Sequence, residues 1–502
     1  MYLINKPHNL IATALFAAFS LAGCDSDTNN TNKTTAVPIQ PKNIILMIAD
    51  GASDGAWDIG SYWENGKLAN NSAPYTELST RLAMVTVPLN TNKTPDATCG
   101  DEIQQISYDK TQAWDETSFT SDPADKYQRP FSGYEYINKN VTDSAAAGTA
   151  LATGHKTYNG AISVDHCGRP LQSITRIAKE NGLSTGIITS VQFDHATPAA
   201  FGANNLSRNN YAAIGHSMLT QGDADLIMGA GHPEYDHNGL TRALDHKYIS
   251  AEDWASLNGG TLKPAGSDES WSLIANKADF ESLANNSASA DVMSGPLFGL
   301  VQNSSTLQQS RTCAAGKNPE IAFDCDMTAT MPSLQIMTQG AINYLAQNEK
   351  GFFLMVEGGA VDWAAHGNHT ARIIEEQVDF NHSVSAVIAW VEQNSNWDET
   401  LLIVTTDHGN SYVLGGSSDQ NAYAPVENPG QGTMPEVKYY SGSHTLELVR
   451  LYARGKGAET FSAFIKGNDE KYATSYNHIG ANGDYIDNTN VFDLMKQVIV
   501  TP

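Results

Sequence analysis

Asn43-Ile44-Ile45-Leu46-Met47-Ile48-Ala49-Asp50-Gly51 is a short apolar run that ends in a carboxylate and a glycine. Two later segments have the same form: Gly351-Phe352-Phe353-Leu354-Met355-Val356 leads into Glu357-Gly358, and Leu401-Leu402-Ile403-Val404-Thr405-Thr406 leads into Asp407-His408-Gly409. Short, unbroken apolar runs are typical of parallel strands that are buried on both faces of a sheet. The three runs therefore predict buried, parallel strands.

The polar residues that follow these runs are expected at one place in the fold. In open parallel sheets, ligands bind beyond the carboxyl ends of the strands. We therefore expect Asp50, Glu357, Asp407 and His408 to converge on one edge of the sheet. The glycines next to these residues let the backbone turn tightly there.

A cleft that gathers several carboxylates and imidazoles needs a counter-charge, because mutual repulsion would otherwise protonate some of them. Asp362 and His366 are four residues apart and share one face if their segment is helical. His444 precedes another apolar segment. Taken singly, Asp50 or Asp407 could be a helix cap, and His444 could be a core histidine with satisfied hydrogen bonds. Taken together, the set favours divalent metals, since mixed Asp/His ligation suits zinc and oxygen ligands suit magnesium.

Thr142-Asp143-Ser144-Ala145-Ala146-Ala147-Gly148-Thr149-Ala150 places one hydroxyl at the predicted start of a helix. Thr142 or Asp143 can cap this helix, and the alanines favour it without adding bulk. Ser144 would lie in the first turn, where free backbone N–H groups and the helix dipole suit an alkoxide or a phosphate. By itself, the nonapeptide fits an ordinary core helix. The acidic and histidine motifs elsewhere favour a catalytic serine.

The order of these motifs resembles that of the alkaline phosphatase superfamily, and of bacterial alkaline phosphatases in particular. The resemblance runs from residue 43 to residue 444. We expect an α/β fold, a three-layer sandwich with a central, mostly parallel sheet, helices on both faces and inserted surface loops. The matching motifs are Asp50-Gly51, Asp143-Ser144-Ala145, His195-Ala196-Thr197-Pro198-Ala199, Glu357-Gly358, Asp362 with His366, Thr406-Asp407-His408 and Gly442-Ser443-His444.

The resemblance implies a role for each matching residue. Ser144 resembles the nucleophile that becomes a phosphoserine. Arg208 resembles the arginine that grips the phosphoryl group, a task suited to a planar guanidinium. Two zinc ions and one magnesium ion are implied as cofactors. Their implied ligands are Asp362, His366 and His444 for the first zinc, Asp50, Asp407 and His408 for the second, and Asp50, Thr197 and Glu357 for magnesium.

Two positions near the implied magnesium site vary within the family. His195 stands where other members carry Asp, and Trp363 stands where others carry Lys or His. With His and Trp at these two positions, we expect fewer charged side chains at the magnesium site. We place both residues around the metal ligands rather than among them.

The implied activity is that of an alkaline phosphatase (EC 3.1.3.1), which hydrolyses small phosphate monoesters to alcohol and inorganic phosphate through a phosphoserine. A sulfatase of the same superfamily would need a Cys or Ser closely followed by Pro and Arg, and Ser144-Ala145-Ala146-Ala147-Gly148 has neither. A phosphodiesterase relative usually carries Thr as its nucleophile. A non-catalytic lipoprotein that binds metal or phosphate would keep the ligands without needing the serine.

The first residues predict export. Lys6 precedes an apolar run from Ile11 to Phe19 that is too short to cross a membrane. Leu21-Ala22-Gly23-Cys24 resembles the bacterial lipoprotein box, whose cysteine is lipidated. We expect residues 1–23 to be a signal peptide and residues 24–40 a flexible tether, with the protein periplasmic or at the cell surface on a Cys24 lipid anchor. The alternative is a secreted protein cut near Ala22.

Cysteine spacing fits an oxidising compartment. Apart from Cys24, four cysteines remain, an even number that allows three pairings. Proximity favours Cys313–Cys325, which leaves Cys99–Cys167. The alternative is that some of them are free and buried.

Residues 41–502 are expected to form a single domain, because the metal motifs span it, with insertions near 88–133 and 209–330. The net charge of −25 provides no basic footprint for nucleic acid as a specific partner. The resemblance suggests a homodimer. Local patterns predict helices at Pro170–Gly182, Ile373–Trp390 and Thr489–Val500, and a strand at Gly186–Val191.

Overall fold

A computed structural model describes residues 42–102, 104–475 and 482–500. The predicted signal peptide, the tether and the Cys24 anchor lie outside these residues. In chain order, the strands are β1 (Asn43–Ile48), β2 (Thr80–Val85), β3 (Ser184–Gln192), β4 (Leu226–Ala230), β5 (Ser272–Ile274), β6 (Leu297–Leu300), β7 (Phe352–Glu357), β8 (Thr400–Thr405), β9 (Gly409–Asn410), β10 (Val413–Gly415), β11 (Val437–Tyr439), β12 (His444–Thr445), β13 (Val449–Gly455), β14 (Gly467–Asn468) and β15 (Asp484–Asp487).

Helices connect most of these strands. In chain order, the α-helices are α1 (Asp54–Asn65), α2 (Lys110–Ala113), α3 (Ser132–Tyr136), α4 (Ser144–Thr153), α5 (Ile174–Glu180), α6 (Ala196–Gly202), α7 (Tyr211–Thr220), α8 (Ala251–Asn258), α9 (Lys277–Ala284), α10 (Ala290–Met293), α11 (Leu334–Leu345), α12 (Ala360–His366), α13 (Thr370–Asn394), α14 (Glu470–Ser475) and α15 (Thr489–Val500). None of the helices in the described ranges is both long enough and apolar enough to cross a bilayer.

One central sheet of eleven strands organises the molecule, in the order β14-β15-β2-β13-β8-β1-β7-β3-β4-β6-β5. Every neighbouring pair from β8 to β5 is parallel. Strand β13 is antiparallel to both of its neighbours, β8 and β2, and β14 is antiparallel to β15. The three apolar runs of the sequence are β1, β7 and β8, which lie side by side at the centre. The predicted mostly parallel sheet is confirmed.

Strand β1 shows how the two faces of the sheet are covered. Its successive side chains point to opposite faces. Ile45 and Met47 pack in one apolar core with side chains of α1, α11 and α13. Ile44, Leu46 and Ile48 pack in a second core with side chains of α4, α5, α6 and α15. These two cores make the fold a three-layer sandwich with helices on both faces, as predicted.

The predicted local elements are present, with shifted ends. The helix predicted at Pro170–Gly182 is shorter, because the Ser173 side chain accepts a hydrogen bond from Arg176 N–H and caps α5 at Ile174. The helix predicted at Ile373–Trp390 extends at both ends to become α13. The predicted strand at Gly186–Val191 is the centre of β3. The last predicted helix has the same bounds as α15.

The two predicted insertions behave differently. The segment near 209–330 supplies β4, β5 and β6, which extend the central sheet at one edge. Within its described residues, the segment near 88–133 contributes the short helix α2 and the first residues of α3. Both disulfides that proximity favoured are present, Cys99–Cys167 and Cys313–Cys325. All described residues belong to one compact unit.

Arg450 on β13 joins the sheet to α1 through a buried ion cluster. Its guanidinium donates to the Asp54 carboxylate and, at 3.0 Å from each of two nitrogens, to both oxygens of Asp58. The Arg450 side chain is only 2% exposed. Two buried carboxylates therefore depend on this one cation, because an unpaired buried charge is strongly unfavourable.

We predict that Arg450→Ala lowers the free energy of unfolding by about 3–5 kcal/mol, since it leaves buried carboxylates unpaired. Denaturation in urea would measure the loss. The matched control is Arg169→Ala, because the Arg169 side chain is 67% exposed where it pairs with Asp165, and exposed pairs contribute about 0–1 kcal/mol. Equal, small losses in the two variants would contradict a buried structural role for Arg450.

Candidate active site and metal centre

The acidic and histidine residues of the central strands lie at one edge of the sheet. Asp50 follows β1, Glu357 ends β7, and Asp407 and His408 follow β8. The parallel register pairs Ile48 with Glu357 and with Thr405, so the three strands end at the same level. All four polar side chains are fully buried. The structure therefore brings these residues together where the sequence predicts.

Three groups of ligand atoms form around this edge. Within each group, one oxygen or nitrogen from every residue lies within 4.8 Å of the others. The groups, taken from the described residues, are Asp362 with His408 and His444, Asp50 with Asp407 and His408, and Asp50 with His195 and Glu357. They overlap the three implied metal sites, and the second group is the same as the implied second zinc site.

The first implied zinc site also includes His366. Helix α12 places Asp362 and His366 one turn apart on the same face, and His366 Nε2 lies 3.3 Å from Asp362 Oδ2. His444 enters from β12, which pairs with β9 just after His408. The Nε2 atoms of His366 and His444 are 3.2 Å apart. These three side chains therefore meet at one point.

Backbone carbonyls fix the histidine tautomers. The Nδ1 atom of His444 is 2.7 Å from the Thr142 carbonyl oxygen, that of His366 is 3.0 Å from the Gly442 oxygen, and that of His408 is 3.2 Å from the Gly409 oxygen. A carbonyl can only accept, so each neutral ring carries its proton on Nδ1. Each Nε2 lone pair then faces the metal groups, the arrangement found when histidine ligates a metal.

The lone pair of His408 Nε2 faces carboxylate oxygens, which are also hydrogen-bond acceptors. This Nε2 atom lies 3.2 Å from Asp407 Oδ2 and 3.5 Å from Asp50 Oδ1. Those two oxygens, and Glu357 Oε1, are buried without a hydrogen-bond donor. Acceptors held this close repel one another unless a cation lies between them. The donor set therefore fits metal ions.

Burial and mutual repulsion raise the pKa values of the carboxylates. Burial raises the pKa of Asp50 well above its ordinary value, and the nearby Asp407 charge raises it further. Burial also raises the pKa of Asp407 to about 7 and that of Glu357 to about 8. Burial, with the neighbouring His444, lowers the pKa of His408. Without a cation, these carboxylates would take up protons near neutral pH, which a divalent metal prevents.

The Asp362 carboxylate behaves in the opposite way. Burial opposes its ionisation, but the hydrogen bond from His366 and the charges of the neighbouring histidines hold its pKa well below the ordinary value. Burial likewise opposes protonation of His366, and the Asp362 partner nevertheless raises the His366 pKa to about 9. The two side chains therefore stabilise each other as an ion pair across 3.3 Å.

Ser144 begins helix α4 beside the second metal group. Asp143 is the cap, because its side chain accepts a hydrogen bond from Ala146 N–H at 3.0 Å. Ser144 Oγ is fully buried and lies 3.1 Å from His408 Nε2. The hydroxyl therefore adjoins both the first turn of the helix and the predicted zinc ligands.

Arg208 reaches the same place from the loop before α7. One guanidinium nitrogen donates to Asp143 Oδ2 at 3.1 Å, and another lies 3.2 Å from His195 Nε2. The side chain remains 20% exposed. Asp143 thus caps the serine helix with one oxygen and holds Arg208 with the other, which ties the guanidinium to the start of that helix.

His195 and Trp363 lie together at the third group. Their ring centroids are 5.9 Å apart at a steep angle. His195 is the residue just before α6, and Thr197 in that helix places Oγ1 3.5 Å from Asp50 Oδ2. Burial, with the Arg208 charge, lowers the His195 pKa to about 3, so the ring is neutral. The His195 ring contributes a nitrogen to the third group of candidate ligand atoms, whereas the sequence places His195 around the ligands; its role at the metal stays a prediction.

Some contacts of the site have no signal in the sequence. Asn410 donates from Nδ2 to Asp362 Oδ1 at 2.6 Å, and Thr189 on β3 donates to Glu357 Oε2. Both bonds hold a predicted ligand in place. The position of Asn410, two residues after His408, is the only hint of its role, since Asn410 lies on β9 and its partner Asp362 lies on α12.

The first group of ligand atoms, through Asp362 and His444, borders a cleft of about 710 Å³. Asp362, His366, His444, Arg208 and Trp363 are among the residues that line it. Lys93, an exposed residue that the sequence did not single out, lies at the same cleft. The opening is large enough for a substrate that extends well beyond a phosphoryl group, since drug-sized ligands occupy sites of roughly 300–1,000 Å³.

Comparisons with known proteins agree on one family. The family model described as "Alkaline phosphatase" matches residues 111–478. "Alkaline phosphatase 4" of Bacillus subtilis (strain 168) is 35% identical over 326 residues, which cover 63% of this chain and 60% of that protein. The match thus spans less than two thirds of the Bacillus protein. The alkaline phosphatase of Escherichia coli (strain K12) is 28% identical over 349 residues, or 63% of this chain and 70% of that protein.

Solved structures show the same fold. The alkaline phosphatase from the Antarctic bacterium TAB5 aligns over 92% of this chain and 99% of its own, with a TM-score of 0.58 and 22% sequence identity. The family match begins before Ser144 and ends after His444, so it includes most of the candidate site. The chain therefore belongs to the alkaline phosphatase family.

Proposed function

We propose that this protein is a metal-dependent phosphatase that hydrolyses phosphate monoesters through a phosphoserine on Ser144. The observation that carries the proposal is the place of the Ser144 hydroxyl, which lies 3.1 Å from His408 Nε2 at the start of α4. A buried serine among metal-ligand atoms and next to an arginine is the combination that phosphoryl transfer requires.

We propose two zinc ions and one magnesium ion as cofactors. Asp362, His366 and His444 would hold the first zinc, and Asp50, Asp407 and His408 the second. Asp50, Thr197 and Glu357 would hold magnesium, with His195 and Trp363 beside them. Bound there, the ions supply positive charge for the reacting oxygens and lower the pKa of a hydroxyl or water. The repelling acceptors around His408 support this assignment.

The residues of the chain then have separate tasks. Ser144 Oγ attacks phosphorus and forms a Ser–O–P bond, while the bond between phosphorus and the ester oxygen breaks and the alcohol leaves with a proton. Water cleaves the phosphoserine in a second displacement, which releases inorganic phosphate and restores the hydroxyl. Arg208 binds two phosphoryl oxygens through its planar guanidinium. The free N–H groups of the first α4 turn favour the negative charge.

We also propose that the protein is exported and lipid-anchored through Cys24. The lipoprotein-like Leu21-Ala22-Gly23-Cys24 supports this, and the two disulfides fit an oxidising compartment. The predicted homodimer stays an expectation of the family resemblance.

We predict that Ser144→Ala keeps its metal content and lowers phosphomonoesterase activity at least about 100-fold, because the covalent step is lost. Hydrolysis of phenyl phosphate, with metal analysis of the same sample, would measure both. Ser256→Ala on α8, far from the sheet edge, is the control. Activity within about tenfold of the unmodified protein, roughly 1.4 kcal/mol, would exclude Ser144 as the nucleophile.

We predict that chelation abolishes activity and that zinc with magnesium restores it. His366→Ala and His444→Ala should each lower zinc content by about one ion per chain, because each removes one of the protein ligands of a zinc site. Elemental analysis of dialysed protein would show this. His216→Ala, whose side chain is 58% exposed and outside the site, should keep full zinc content. Full zinc in both site variants would disprove the first zinc assignment.

We predict that Cys24→Ser releases the protein from membranes or stops its processing, because stable anchoring needs the acyl chains on that cysteine. Fractionation of expressing cells and mass spectrometry of the mature N-terminus would test this. A mature chain that begins elsewhere and carries no lipid would refute the anchor.

A further inference from the structure

The cleft lined by Asp143, Arg208 and His444 carries its charges unevenly. Two carboxylates line it, and both are already matched. Asp143 binds Arg208, and Asp362 binds His366 and Asn410. Arg208 and Lys93 are the arginine and lysine side chains among the described lining residues. Because Arg208 is paired with Asp143, Lys93 carries the unmatched positive charge of the cleft.

Lys93 makes no contact that would explain it as a structural residue. It has no hydrogen bond or ion pair to any residue in the described ranges, and it is exposed. The protein as a whole carries a net charge of −25, which repels anions from its surface. The positive charge of Lys93 therefore offsets that repulsion at the cleft where an anionic substrate would bind.

The loop that carries Lys93 is fixed at both ends. On one side, Leu89 N–H donates to the Thr157 carbonyl at 3.0 Å. On the other side, Asp96 N–H donates to the His166 carbonyl at 2.7 Å, and the Cys99–Cys167 disulfide closes the loop. Both attachments join the loop to the segment 157–167. The backbone is therefore fixed on both sides of Lys93.

The segment 157–167 also contacts Asp143 and Arg208, through Gly160. Gly160 N–H donates to Asp143 Oδ1 at 3.0 Å, and Arg208 N–H donates to the Gly160 carbonyl at 2.8 Å. The segment thus touches the cap of the serine helix and the arginine, and it also anchors the Lys93 loop. The same segment therefore fixes the positions of both cations that line the cleft, Arg208 and Lys93.

We infer that Lys93 is a specificity-determining residue that binds an anionic group of the substrate other than the transferred phosphoryl group. The inference rests on the proposed phosphatase function and adds a substrate class to it, namely monoesters whose alcohol carries a second negative charge such as a carboxylate or another phosphate. Arg208 and the metal groups take the transferred phosphoryl group, and Lys93 takes the second charge. Because the ammonium does not touch the reacting atoms, its contribution appears in KM rather than in kcat.

Two aryl phosphates test this. The kcat/KM for 4-carboxyphenyl phosphate is divided by that for phenyl phosphate, which lacks the second charge. We expect Lys93→Gln to lower this ratio about 2- to 5-fold, as for the loss of an exposed ion pair, mainly through KM. Lys93→Glu should lower it further, and Lys93→Arg should keep it. High salt should shrink the difference, because exposed charges are screened.

Lys139→Gln is the matched control, since Lys139 also loses one positive charge, is 60% exposed and does not line the cleft. For Lys139→Gln, the ratio of the two kcat/KM values should equal that of the unmodified protein. A ratio that stays within twofold in both Lys93→Gln and Lys93→Glu would overturn the inference, as would an equal loss with Lys139→Gln. If the unmodified protein hydrolyses neither ester, the proposed function itself fails, which is a distinct result.

Discussion

The candidate site depends on hydrogen-bond acceptors that lie close together at the carboxyl ends of β1, β7 and β8. His408 Nε2 faces oxygens of Asp50 and Asp407 at 3.5 and 3.2 Å, with its own proton directed to a carbonyl on the other side. Such a set is unfavourable unless cations neutralise it. The rigid, parallel strands hold these groups in place, so the stability gained from β1, β7 and β8 maintains an arrangement that the isolated side chains would avoid.

Three consecutive residues link this edge to the rest of the site. The Thr142 carbonyl orients His444, Asp143 caps α4 and binds Arg208, and Ser144 presents its hydroxyl to His408. A displacement of this short segment would therefore move His444, Arg208 and Ser144 at once, which are the proposed metal ligand, phosphate-binding arginine and nucleophile. The site behaves as one mechanical unit, although its residues come from opposite ends of the chain.

Much of this arrangement could be predicted because buried parallel strands have a distinctive sequence. The apolar runs before Asp50, Glu357 and Asp407 place these residues at strand ends, and strand ends meet at one edge. Chain direction has no such signal, so the antiparallel course of β13 was not foreseen. Strands β4, β5 and β6 are only three to five residues long, too short for their pattern to distinguish them from the polar insertion around them. Side-chain bonds such as that from Asn410 to Asp362 depend on packing, which the sequence does not display.

The distance along the chain between ligands has a consequence for the order of events in the cell. Gly51 N–H donates to Asp407 Oδ1, a bond that spans 356 residues, and Asp50 and Asp407 come together only when β8 has joined β1. A partly synthesised chain therefore has no complete second group. This group cannot take up a metal ion before β8 has joined β1. The metal ions available at the place where the chain folds then determine which of them the group binds.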